Sequence, residues 1–124
     1  MNDLDDILQS MHNDKVVVLR EQLAAIDKQE EDRIAIDAQI KRQLDDNIAD
    51  VRADELRLTQ DPELPDTQRE ARVQFLFKRL DLINRLSDEM RHCWSDYQRL
   101  EEQKREIQRE LITLEQRRDR TNAA

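Results

Sequence analysis

The chain has 124 residues, with 29 acidic and 21 basic side chains, a net charge of −8, no glycine, two prolines and one cysteine. That length suits one domain, and the lack of glycine excludes the glycine-rich phosphate loops of Walker and dinucleotide-binding proteins. Charged residues at 40%, apolar at 37% and aromatic at 3% argue against a deep globular core and for long helices with a narrow apolar seam. Disorder is rejected for most of the chain because the apolar residues recur at helical spacing.

Residues 1–13 read as a short N-terminal helix or a frayed start, with Leu4, Ile7, Leu8 and Met11 as its apolar positions. His12, Asn13 and Asp14 are able to end one helix and cap the next. The opening MNDLDDILQS is acidic where a signal peptide is basic, and no apolar run approaches a membrane span. A single cysteine, Cys93, gives no internal disulfide and no sign of an oxidising compartment. The expected location is therefore cytoplasmic.

Residues 14–60 form the first predicted arm. Leu19, Leu23 and Ile26 begin a seam, and Ile40, Leu44, Ile48, Val51 and Leu58 resume it. Between them lies the polar run DKQEEDR, residues 27–33. Residues 61–66 form the predicted turn, because Pro62 and Pro65 remove backbone donors and disfavour helix at the residue before each. Thr67 and Glu70 then have capping-box spacing, with Asp66 as a competing N-cap.

The second arm covers residues 67–120. Leu86, Met90, Cys93, Tyr97, Leu100, Lys104, Ile107, Leu111 and Leu114 alternate spacings of four and three, with Lys104 the one interruption. Each arm, if unbroken, would extend on the order of 70–90 Å, and helices that long need a buried face to persist in water. The expected fold is thus all-α, a long antiparallel helical hairpin zipped as a coiled coil within a single helical domain. Charge agrees with that pairing: residues 1–66 hold 18 acidic and 8 basic side chains, and residues 67–124 hold 11 and 13.

Two features ask for more than one neighbour. Folding about residue 63 sets the polar run 27–33 opposite residues 92–98, leaving Trp94 and Tyr97 without an apolar seam to cover them. The stretch RVQFLFKRLDLINRL, residues 72–86, spreads its apolar side chains over an arc of roughly 220°, about twice an ordinary amphipathic stripe. A second copy is the expected extra neighbour, giving a homodimeric four-helix bundle; a client helix is the alternative. The residues expected to make protein contacts are Val73, Phe75, Phe77, Leu80, Leu82, Leu86, Trp94 and Tyr97.

No catalytic constellation emerges. Glu89 and His92 have Glu-x-x-His spacing, but di-metal bundles need two such motifs, and His12 has Gln9 three positions before it. Neighbouring His92 and Cys93 point about 100° apart on a helix, which defeats a Cys–His pair. No metal, cofactor, small-molecule substrate or membrane is therefore expected. Arg117, Arg118 and Arg120 are too few for a nucleic-acid face in an acidic protein and suit the negative end of a helix dipole.

The expected function is that of a non-enzymatic interaction protein: an adaptor, assembly factor or small chaperone. An acidic inhibitor that fills a basic groove, or a structural dimeric spacer, is the alternative. In size and layout the chain resembles the small helical-hairpin stalk proteins and export chaperones of flagellar and type III secretion systems. That architectural likeness implies helix-mediated protein contacts and assigns no residue roles. The turn segment DPELPDTQREA, residues 61–71, resembles an inter-helical turn of the steric lipase chaperones, over that turn alone.

Overall fold

The computed structural model describes residues 3–60 and 65–123, with side chains over 3–60 and 68–120. Every described residue is helical. Helix α1 runs from Asp3 to Gln60, and helix α2 from Pro65 to Ala123. The two pack against each other in opposite directions as a helical hairpin. With no glycine and no internal proline there is nothing in either segment to end a helix. Among the described residues no helix is long and apolar enough to cross a membrane.

α1 passes through residues 10–14 without a break. Ser, His, Asn and Asp are mediocre helix formers but lack the hard steric veto of proline. The Gln9 side-chain amide donates to Asn13 Oδ1 at 3.3 Å across this stretch. Asp3, Asp5 and Asp6 occupy the first turn of α1, where negative charge complements the exposed N–H groups. The predicted turn at 61–66 lies outside the described residues except where α2 begins. Pro65 opens α2, a position where its missing N–H costs nothing. The capping-box side chain of Thr67 lies outside the described side chains.

The chain forms two compact units. The first comprises Met1–Arg33 with Asp96–Ala124, the second Ile34–Ser95. In the first, Leu19, Ile26, Leu100 and Leu114 are buried, with Leu23, Ile107 and Leu111 half-buried beside them. In the second, Leu44 is buried, and Ile40, Ile48, Val51, Leu58, Phe75, Leu82, Leu86 and Cys93 are half-buried. Each seam is one residue deep, because two helices alone share only a stripe of each surface.

The register differs from a fold about residue 63. In the first unit Asp27 and Glu30 meet Lys104, and Arg33 meets Asp96. In the second Glu55 meets Arg79. Lys15 of the first unit also meets Glu110. Across these pairs residue i faces on average roughly 130 − i, a slip of about one helical turn, with the Lys15 pair alone keeping the expected register. The slip sets the polar run 27–33 against Asp96, Glu101 and Lys104 instead of against Trp94. It also corrects one seam assignment: Met90 is 54% exposed, and half-buried Glu89 turns inward in its place.

Burial predicts the hierarchy of substitution effects. Leu100→Ala removes a side chain that is 5% exposed and should cost about 2–4 kcal/mol in urea unfolding. Ile112→Ala, at a site 54% exposed, should stay within about 0.5 kcal/mol.

Candidate functional site

α2 carries two apolar stripes over the same length. In the second unit its covered stripe contains Phe75, Leu82, Leu86 and Cys93, all half-buried. The other stripe follows a strict alternation of threes and fours: Val73, Leu76, Leu80, Ile83, Ser87, Met90 and Trp94. The two stripes lie roughly 100° apart around the helix, so a single α1 can cover only one. Val73, Leu76, Leu80 and Ile83 are 44–46% exposed, Met90 54%, and Phe77 and Trp94 65% and 66%. Lys78 extends over the Phe75 ring, 5.8 Å from its centre.

The eight residues expected from sequence to make protein contacts thus divide. Val73, Leu80 and Trp94 stand on the uncovered stripe, and Phe77 is exposed at its edge beside Val73. Phe75, Leu82 and Leu86 turn to the hairpin seam of their unit, and Tyr97 is half-buried in the other unit. Leu76, Ile83 and Met90 belong to the uncovered stripe and were missed as site residues. The heptad spacing from Val73 to Trp94 was the signal for them, masked by the denser apolar pattern of the covered stripe.

Polar layers replace apolar ones within the covered seams. In the first unit Lys104 Nζ lies 2.8 Å from Asp27 Oδ1, 3.0 Å from Glu30 Oε2 and 3.4 Å from Glu101 Oε1. Glu30 is buried. Hydrogen bonds to Asp27 and then Glu30 hold the Lys104 ammonium well above the ordinary lysine range. A hydrogen bond with Glu30, followed by the bond to Lys104, holds the Glu101 carboxyl below its ordinary range. The adjacent negative charge of Glu101 pushes the Tyr97 phenol up. Arg33 Nε closes the layer on Asp96 Oδ2 at 2.9 Å.

A second such layer lies in the other unit. Buried Asp37 accepts from Lys41 at 2.8 Å. That hydrogen bond raises the Lys41 pKa, with smaller support from Asp37, Cys93 and Glu89 charge. Charged layers in a helix–helix seam select register and partner at some cost in stability. Among the described residues no group of three or more His, Cys, Asp or Glu is arranged to hold a metal ion. His92 is exposed on α2 while Glu89 turns inward.

Removing the Lys104 charge should leave Glu30 buried without its cation. Lys104→Met should cost about 1–3 kcal/mol, and Glu30→Leu combined with Lys104→Leu should recover most of that loss. The pH dependence follows from the raised Lys104 pKa. The folded state keeps this proton longer than the unfolded chain, so its stabilisation is complete below about pH 10.4 and fades as pH rises further. Chemical melts from pH 8 to pH 12 should show a decline that is smaller in the Lys104→Met protein.

A protein-family profile described as "Family of unknown function (DUF8104)" matches residues 1–122. No curated protein and no solved structure matches the chain. The chain therefore belongs to the DUF8104 family.

Proposed function

We propose that this protein is a non-enzymatic interaction module, a coiled-coil hairpin whose second helix docks a further helix along its uncovered stripe. Its action is of the adaptor, assembly-factor or small-chaperone kind. The observation that carries this reading is the heptad-spaced exposure of Val73, Leu76, Leu80, Ile83, Met90 and Trp94, with Phe77 exposed at the edge of the same row. Scattered apolar residues on a surface need no explanation, but a contiguous apolar stripe marks a contact site. Helix-in-groove recognition supplies the mode, since anchors at steps of three and four seat in the furrow between two partner helices. Covering this stripe with helices of another hairpin completes a four-helix bundle.

A second reading is an inhibitor presenting acidic α1 to a basic groove, favoured by the net charge of −10 over residues 1–66. Salt separates the two. Apolar docking persists at about 0.5 M salt, where the Debye length falls below about 5 Å and a purely ionic contact is lost.

Phe77→Asp tests the docking reading. Phe77 makes little use of α1, being 65% exposed, so the helicity of the hairpin should be unchanged, and its unfolding midpoint should fall only by what lost association removes. Association with itself or with a captured partner should weaken at least tenfold by sedimentation or titration, and Trp94→Ala should follow it. Unaltered association in both variants contradicts the reading.

A further inference from the structure

We infer that the occupant of the uncovered stripe is the same stripe of a second copy, packed antiparallel about a two-fold axis beside Ile83. The inference rests on the docking reading above. Size supports it first. Val73, Leu76, Leu80 and Ile83 are 44–46% exposed, and Met90, Phe77 and Trp94 are 54–66% exposed. Together they present roughly 700 Å² of residue surface on each copy, close to the about 800 Å² per partner of a standard protein interface. The row alone therefore offers enough area for a stable pair.

Self-complementarity selects the partner. Read from either end the row keeps its threes and fours, so a second copy running the other way meets it layer for layer. Reversal about residue 83 sets Val73 against the partner's Trp94, Leu76 against its Met90, Leu80 against its Ser87 and Ile83 against its own copy. The largest side chain of the row thus meets the smallest apolar one, and a leucine fills the gap at Ser87. A parallel pair would stack Trp94 on Trp94 and Ser87 on Ser87. One layer would be crowded and the other left hollow, and both faults cost stability.

The flank agrees. On the side away from α1 the row is bordered by Phe77, Asn84 and Arg91, all exposed. Reversed pairing brings Arg91, held by Asp88 on its own helix, beside the partner's Phe77 ring, where a guanidinium over an aromatic face is favourable. It also brings Asn84 beside its own copy, where two amides exchange hydrogen bonds. The row lies roughly 100° from the covered stripe, so a second α2 enters beside α1 without displacing it. Each copy gives and receives the same surface, as a two-fold pair requires.

Cross-linking of the full-length chain tests this. Leu80→Cys and Ser87→Cys are made as separate proteins in a Cys93→Ala background. Both sites are exposed, and circular dichroism checks that the variants stay helical. Sedimentation equilibrium should show the parent and both variants as dimers. Oxidation of either variant alone should give little covalent dimer, because residue 80 and its copy then stand about two helical turns apart. An equimolar mixture, combined while reduced and then oxidised, should give several-fold more.

Covalent dimer from each variant alone at the level of the mixture establishes parallel pairing and overturns the inference. Dimers that cross-link in none of the three samples overturn it as well, since the contact then lies elsewhere. A parent chain that stays monomeric at every concentration overturns self-pairing while leaving the docking reading to a foreign helix. Parent-like association in both Phe77→Asp and Trp94→Ala rejects the docking reading itself.

Discussion

One geometric constraint governs this molecule: α2 is apolar on two faces, and a single antiparallel neighbour covers one of them. Between residues 73 and 94 its side chains alternate between half-buried Phe75, Leu82 and Leu86 and exposed Val73, Phe77, Leu80 and Ile83. Burying a leucine or phenylalanine contributes about 1.5–3 kcal/mol, so the uncovered row is a large unused source of binding energy. In the proposed docking role, the hairpin is the scaffold that keeps this row accessible.

The covered face does a different task. Its apolar layers are thin, and at Glu30, Asp37, Glu89 and Lys104 they give way to charge. A seam of leucine alone would slide by a turn at little cost. Placing Lys104 between Asp27 and Glu30 makes one register better than its neighbours, because a slip leaves buried Glu30 without its cation. Stability is surrendered locally for a defined alignment of α1 on α2.

Much of the fold is legible in the residues. The absence of glycine, the pairing of Pro62 with Pro65 and the threes and fours of Leu19–Ile26 and Leu100–Leu114 give two helices packed in opposition. The register is harder to read. It is fixed by long-range ion pairs such as Arg33 with Asp96, and a polar run like DKQEEDR does not reveal which cations it will meet. Met90 shows the same limit: a methionine at heptad spacing looks like a seam residue until Glu89, drawn inward beside Lys41, takes the place. The excess of apolar arc over 73–86 is visible from sequence. Assigning Phe77 outward and Phe75 inward requires knowing where α1 lies.

Trp94, the sole tryptophan and 66% exposed at the end of the uncovered row, reports directly on whether that row is covered. Its fluorescence emission, followed as the purified chain is concentrated, tests the central claim most directly. The account predicts water-exposed emission at high dilution, shifting to shorter wavelength as copies associate, with the shift abolished by Phe77→Asp. Emission that stays at the water-exposed position while the chain demonstrably associates would contradict it.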